Sequence, residues 1–166
     1  MANICDTYIY AKGSKKDLEN LKKIFEKEIE YGYVSEIEKC EDEFLMDMNI
    51  DLRWSFYLTC IDSLNEKYRL ENIMKNNPSL KLNVVTLEPG MEFSEHFLCD
   101  KDNVYIDEEN DYIVDYNEDS DRDIYIKIPP YFVENKEENF IYLDSDILIN
   151  ELNNLKEKPK KLIEKN

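Results

Sequence analysis

The feature that most constrains the fold is an alternation of apolar and polar residues that begins at Phe44. Every even position from 44 to 60 carries an apolar side chain: Phe44, Met46, Met48, Ile50, Leu52, Trp54, Phe56, Leu58 and Cys60. Most odd positions between them are polar. A period of two residues is typical of extended chain with one buried face. The run therefore predicts one long strand, or two strands linked without loss of register, with Trp54 in the core.

The segments around this run predict the order β-α-β-β-α-β. Residues 4–11 and 33–40 have strand character, and residues 79–88 form another apolar strand pattern. Residues 14–30 predict a helix that begins at the N-cap Ser14, with apolar residues at helical spacing. A second helix over residues 65–76 places Tyr68, Leu70, Ile73 and Met74 inward, and Pro78 stops it. We predict an α+β fold whose residues 1–100 form a ferredoxin-like βαββαβ core, an antiparallel sheet with two helices on one face.

Residues 101–166 predict an acidic β-rich extension and a C-terminal helix packed on the same domain. Short strand patterns at 92–99, 103–107, 112–116 and 122–128 are separated by acidic turns, so β-hairpins are expected. A last helix begins near Asp144 or Ser145. Its inward side is predicted to carry Ile147, Leu148, Leu152 and Leu155. Pro159 ends or kinks this helix, and a lysine-rich tail follows.

Composition restricts the classes of partner. The 38 acidic residues outnumber the 21 basic ones, which gives a formal net charge of −17. Such a chain repels phosphate backbones and attracts basic protein surfaces, so we expect no direct nucleic-acid binding.

No apolar run reaches the roughly 20 residues that cross a bilayer, so no membrane association is expected. The N-terminus lacks the pattern of a secretory signal, and the four cysteines have no CxxC spacing. We therefore predict a cytoplasmic protein with free thiols and no cofactor.

The stretch "DYNEDSDRD", residues 115–123, resembles the start of a calcium loop. Asp115, Asn117 and Asp119 occupy positions one, three and five of an EF-hand. Position six is Ser120, where the loop needs Gly, and position twelve is Ile126, where a bidentate Glu belongs. The match favours a solvated acidic turn or an interaction surface over a metal site.

The acidic residues concentrate in one part of the chain. Residues 100–123 contain eleven acidic residues and two basic ones, a local net charge of −9. Carboxylates on a small rigid sheet can imitate the spacing of phosphates, although acidic hairpin turns are often only solvated. We call the following nine residues the acidic surface and predict that they bind a partner: Asp107, Glu108, Glu109, Asp111, Asp115, Glu118, Asp119, Asp121 and Asp123.

A different class of function would use the only histidine. Glu88, Glu92, Glu95 and His96 contain the side chains that a metal-dependent hydrolase or a cation-binding protein requires. This alternative needs the four side chains to converge in one cleft. On a strand, His96 shares a face with Ser94 and Leu98 but not with Cys99, so a structural histidine is the simpler expectation.

Three stretches together resemble a known family. They are "MANICDTYIYAKG" at the start, "DLRWSFYLTC" at 51–60 and "LNVVTLEPGMEFSEHF" at 82–97. They resemble the YubB-type ferredoxin-like domain of plasmids, phages and conjugative elements. The matching residues are Met1, Ala2, Asn3, Cys5, Trp54, Ser55, Glu88, Pro89, Gly90 and Phe93, while Ile4 replaces an aromatic residue and Phe56-Tyr57 stand where many members have prolines. The resemblance implies a βαββαβ core and a mobile-element origin, and it brings no catalytic residues.

The expected function is therefore non-enzymatic. We predict an accessory protein of a mobile genetic element that binds a protein with a basic surface, with nucleic-acid mimicry by the acidic surface as one form of this hypothesis. The small metal-dependent hydrolase or cation-binding protein remains the alternative. An exposed sheet edge in the extension could also pair with a second copy to form a homodimer.

Overall fold

The structure, a computed structural model, describes residues 4–29, 32–88 and 90–155. The chain has a mixed α+β fold with eleven strands and three α-helices in these ranges. The strands are β1 (Ile4–Gly13), β2 (Tyr33–Val34), β3 (Glu38–Cys40), β4 (Glu43–Arg53), β5 (Lys81–Glu88), β6 (Phe93–Asp100), β7 (Val104–Asp111), β8 (Ile113–Asn117), β9 (Arg122–Lys127), β10 (Phe132–Asn135) and β11 (Phe140–Leu143). The α-helices are α1 (Lys15–Ile24), α2 (Leu70–Asn76) and α3 (Ser145–Asn153).

The main sheet has the strand order β2-β4-β1-β5-β6-β7, and β3 also pairs with β4. All of its pairings are antiparallel. The hairpins β8–β9 and β10–β11 each form a separate two-stranded sheet. Residue 100 lies at the end of β6, and the main sheet continues past it into β7.

Apolar side chains fill both faces of the main sheet. One face packs against α1 and α2, and its buried set includes Ile9, Leu18, Met48 and Ile73. The other face packs against α3, with Tyr10, Val85, Leu98, Leu148 and Leu152 buried together. The three-layer arrangement explains why β5 is buried along almost its whole length, since both of its faces are covered.

The first helix is confirmed with its cap. The hydroxyl of Ser14 accepts a hydrogen bond from the backbone N–H of Asp17, and Leu18 and Leu21 are buried. The regular helix ends at Ile24, and a 3₁₀ turn over Glu26–Ile29 follows. The second helix is shorter than predicted, because α2 begins at Leu70 after a turn rather than near residue 65.

The alternating run is a strand only as far as Arg53, so the prediction for its second half is wrong. Met46, Met48, Ile50 and Leu52 are buried as predicted. Trp54 has a positive φ of 65°, which ends the strand, and a single π-helical turn follows at Tyr57–Ile61. Trp54 and Leu58 are each 51% exposed and lie outside the core. In this second half only Phe56 and Cys60 of the even-numbered residues are buried, so the alternation of apolar residues does not continue as one buried face.

The extension contains the predicted strands and one unpredicted hairpin. The hairpin β10–β11 was not predicted, although Phe132 and Leu143 on its inner side pack against the α3 core. Helix α3 buries Leu148, Leu152 and the following Leu155, but Ile147 is 41% exposed, so its predicted inward position is wrong. Pro159, the lysine-rich tail, residues 1–3 and Pro89 lie outside the described residues.

None of the helices within the described ranges is long and apolar enough to cross a membrane.

Candidate functional site

The acidic surface lies on β7, on β8–β9 and on the turn between these two strands. All nine of its side chains are exposed. On β7, Asp107, Glu109 and Asp111 are paired opposite Phe97, Glu95 and Phe93, so they point to the face of the sheet that carries α1 and α2. The intervening Glu108 is opposite His96 and points to the α3 face.

The acidic surface is only weakly neutralised within the protein. Among the described residues, Asp111 alone of the nine makes a salt bridge, at 3.1 Å to the exposed Lys127. The nearby Arg122 donates from its guanidinium to the backbone carbonyl of Lys136, at 2.6 Å. A surface with this excess of carboxylates favours cationic partners.

The turn at residues 117–122 closes the β8–β9 hairpin through its own hydrogen bonds. The carboxamide oxygen of Asn117 accepts hydrogen bonds from the backbone N–H groups of Asp119 and Ser120, as in an Asx turn. The hydroxyl of Tyr116 donates to the carboxylate of Asp121, whose φ is positive. The flanking segments are strands rather than EF-hand helices. Throughout the described ranges, no group of three or more His, Cys, Asp or Glu side chains is placed to hold a metal ion.

Apolar side chains are exposed in the same hairpin. Tyr116, Ile124 and Ile126 are 52%, 44% and 62% exposed. Ile124 is paired opposite Asp115, so an apolar and an acidic side chain share one face of β8–β9. The combination of large apolar groups with charge is typical of protein-binding surfaces.

His96 is buried in a polar network on the α3 face. The carboxamide nitrogen of Asn83 donates to the carbonyl of Leu148 and to Oε1 of Glu151, at 3.1 and 3.0 Å. The Oδ1 atom of Asn83 is therefore left to accept a hydrogen bond from Nε2 of His96, at 2.8 Å. The same Nε2 lies 3.2 Å from Oε1 of Glu151, and the ring of Tyr131 packs 4.2 Å from the imidazole. This network fastens α3 and the start of the β10–β11 hairpin to the sheet.

Glu95 immediately precedes His96 in the chain and lies on the opposite face of the sheet. Its carboxylate accepts hydrogen bonds from the backbone N–H groups of Phe56 and Tyr57, at 3.0 and 3.2 Å, and from the hydroxyl of Thr86 at 3.1 Å. Burial raises the pKa of Glu95, and these three hydrogen bonds oppose the shift. Glu95 thus fastens the turn after Trp54, a role that the sequence did not reveal because its partners lie about 40 residues away.

The four side chains of the hydrolase alternative do not converge. His96 faces α3, whereas Glu95 faces α1 and α2. Glu88 is buried and accepts a hydrogen bond from the backbone N–H of Met91, and Glu92 is exposed in the turn before β6. Neighbouring residues of a strand point to opposite faces, so no single cleft contains both Glu95 and His96.

The cysteines are free and mostly buried. Cys5, Cys60 and Cys99 are at most 1% exposed, and Cys40 is half-buried. Burial, with the charges of Glu88 and Glu95, raises the pKa of Cys5 to about 12. A thiol with this pKa stays protonated at neutral pH and is a poor nucleophile.

A groove of about 650 Å³ lies between α2 and the β6–β7 hairpin. Apolar side chains that line it include Cys60, Leu70, Met74, Phe97 and Cys99. Asp107 on β7 stands at one side of the groove, and Arg69 and Lys75 stand on the α2 side. The groove was not predicted, because it arises where β6 and β7 extend the sheet beyond the two covering helices.

Comparisons with known proteins leave the family open. A scan against models of protein families, a search of curated proteins and a search of solved structures each found no match.

Proposed function

We propose that this chain is a non-enzymatic protein-binding module whose acidic surface engages a basic surface on another protein. The observation that carries the proposal is that all nine acidic side chains are exposed. Within the described residues, Asp111 alone of the nine makes a salt bridge. Carboxylates that are not neutralised internally repel one another, and a cationic partner relieves this repulsion. The exposed Tyr116, Ile124 and Ile126 add apolar contacts that a protein partner can bury.

Nucleic-acid mimicry is the more specific form of this proposal. In this form the partner is a protein with a basic groove that normally holds nucleic acid, and the carboxylates take the positions of phosphates. The hydrogen-bonded turn at Asn117 supports it, because a turn held by the Asn117 side chain presents Glu118 and Asp119 in a defined arrangement. A preorganised surface loses less conformational entropy on binding than a flexible acidic tail.

We also propose that residues 1–100 are a ferredoxin-like domain of the YubB type and that the protein is a cytoplasmic accessory protein of a mobile element. The support is topological. In chain order the elements are β1, α1, the short strands β2 and β3, β4, α2 and β5, and in the sheet β5, β1, β4 and β2 lie side by side. A split βαβ plan predicts the same order of elements.

The proposed function can be tested by capture of host proteins on the immobilised chain with two variants of equal charge change. The first carries Asp115→Lys, Glu118→Lys, Asp119→Lys and Asp123→Lys, and it keeps Asp121 because that carboxylate accepts the Tyr116 hydroxyl. The control carries four exposed substitutions away from the acidic surface: Glu19→Lys, Glu36→Lys, Glu38→Lys and Glu66→Lys.

We expect the first variant to lose the captured protein and the control to retain it. Capture by the unmodified chain should weaken steeply as salt rises from about 50 to 500 mM, since salt screens exposed charges. Duplex DNA should compete for the captured protein if the mimicry form holds. Equal capture by the chain and by the first variant would refute the proposal.

A further inference from the structure

The outer edge of β7 has no neighbouring strand in the described part of the chain. We propose that it receives an extended segment of a partner protein, in which basic and apolar residues alternate, as an additional strand of the main sheet. The inference rests on the proposed function, because it specifies the part of a basic partner that the acidic surface receives.

β7 is the last strand of the main sheet in the described part of the chain. It has eight residues, Val104–Asp111, and pairs there with β6 only. The outer side of such a strand presents backbone N–H and C=O groups without ladder partners. Extended peptides bind to edges of this kind by continuing the hydrogen-bond ladder, and their side chains determine specificity.

The side chains of β7 select a basic occupant. Asp107, Glu109 and Asp111 alternate on one face of the strand, so successive carboxylates start about 6.7 Å apart along it. Alternate residues of an added strand would lie directly opposite them, at the distance where opposite charges attract. Lysine or arginine at every second position of the segment matches this spacing.

The neighbouring groove accommodates the stems of those basic residues. Phe97 and Cys99 give the β6 side of the groove an apolar lining next to Asp107. Lysine and arginine place their methylene groups along such surfaces while the charged end reaches a carboxylate. The charged lining residues on the α2 side are Arg69, Lys75 and Glu71, and those on the β6–β7 side are three carboxylates and one lysine: Asp100, Asp102, Asp107 and Lys101. The excess of negative charge on the β6–β7 side favours a cation there.

The other face of β7 favours apolar residues at the remaining positions. Ile106 is partly buried and packs with the α3 core, and it is paired opposite Leu98. An apolar side chain of the added strand would extend this contact. The face toward α1 and α2 carries three carboxylates of β7, whereas the α3 face carries one, Glu108, beside Ile106. Basic residues are therefore favoured on the first face, and an apolar residue is favoured opposite Ile106 on the second.

A second copy of this chain is a poorer occupant of the edge. Pairing two β7 strands would bring the exposed acidic residues of one copy close to those of the other, and like charges directly opposite each other are destabilising. The same carboxylates that repel a second copy attract a basic strand. The edge is thus protected from self-association while it remains available to a cationic partner.

The experiment uses the full chain and two synthetic peptides of one composition. Acetyl-KVKVKVK-amide alternates lysine and valine, whereas acetyl-KKKVVVK-amide has the same charge without alternation. Binding is measured by calorimetry, and the site is located by hydrogen exchange of the backbone amides. We expect the alternating peptide to bind more tightly and to slow exchange within residues 104–111.

Two variants with equal charge change test whether the peptide binds at the face of β7 that carries Asp107 and Glu109. Asp107→Lys with Glu109→Lys reverses charges on the groove side, while Glu108→Lys with Glu118→Lys reverses charges elsewhere on the acidic surface. We expect the first pair to weaken binding of the alternating peptide about tenfold and the second pair less than about threefold.

Several results would overturn the edge proposal. If the peptide slowed hydrogen exchange only within residues 113–127, the edge proposal would be refuted. The proposed function would remain, because the β8–β9 hairpin would then be the binding site. Equal affinity for both peptides would reduce the interaction to net charge and remove the edge from it. The edge proposal would also be refuted if neither peptide bound, or if sedimentation showed dimers that depend on β7. The proposed function would still be tested separately by the capture experiment with the lysine variants of the β8–β9 hairpin.

Discussion

The neighbouring strands β6 and β7 have eight residues each and form one hairpin, yet they use their polar residues differently. On β6, Glu95 and His96 are bound within the protein, one to the turn at Phe56 and the other to Asn83. On β7, the carboxylates of Asp107, Glu108 and Glu109 are exposed and make no salt bridge among the described residues. The first set holds the fold together, whereas the second set is available to a partner.

The difference follows from position in the sheet. β6 lies between two strands and most of its residues are buried, so a buried polar side chain there is stable only with an internal hydrogen-bond partner. β7 is at the edge and is solvated, so its carboxylates need no partner for stability. Glu95 and His96 are adjacent in the sequence, which suggests a catalytic pair. In the structure they stabilise opposite faces of the sheet through separate hydrogen bonds.

The largest effect should come from removing the imidazole of β6. We expect His96→Ala to lower the free energy of unfolding by about 2–4 kcal/mol, because it leaves Oδ1 of Asn83 without its donor and opens a cavity under Tyr131. Urea denaturation measures the loss. His96→Gln can still donate to Asn83 and should lose less. A loss below about 0.5 kcal/mol for the alanine variant would show that the network does not hold α3 in place.

Removal of the neighbouring Glu95 carboxylate should cause a smaller loss in the free energy of unfolding. We expect Glu95→Ala to cost about 1–3 kcal/mol, since the N–H groups of Phe56 and Tyr57 lose their acceptor and the second of these can turn to solvent. The fluorescence of Trp54, the single tryptophan, should report the loosened turn. Glu95→Gln retains an acceptor oxygen and is the matched control. Unchanged amide exchange at Phe56 and Tyr57 in the alanine variant would contradict the assignment.

The smallest effect on stability should come from reversing two charges on β7. Asp107→Lys with Glu109→Lys should change the free energy of unfolding by no more than about 0.5 kcal/mol, because both side chains are exposed and the reversal reduces the net charge of −17. The same denaturation measurement applies. A loss as large as that of His96→Ala would erase the distinction between the two strands and make the β7 carboxylates structural.

Several elements were predictable because local residues specify them. The alternation from Met46 to Leu52 requires one buried face, and β4 has it. Ser14 followed by Asp17 predicted the start of α1 at the correct residue. The acidic surface was also predicted as exposed, since nine carboxylates in a short segment cannot all be buried.

Other predictions failed where a distant residue overrides the local pattern. Trp54 has the even parity of the core residues but lies 51% exposed, because the following turn is held by Glu95 and not by continued strand pairing. The hairpin β10–β11 was missed because its inner residues, Phe132 and Leu143, are partly buried by a cluster that includes distant residues of the sheet, and Phe132 contacts Tyr8.

What the sequence determined by itself was the periodicity of its strands and helices, the excess of negative charge and the segment where that charge concentrates. Only the tertiary structure decided that polar residues such as Glu95 and His96 are bound inside, and by which partners. The physical reason is that a strand's period depends on adjacent residues, while a buried polar group depends on a partner. For His96 that partner group includes Glu151, and for Glu95 it includes Phe56, each some 40 to 55 positions away.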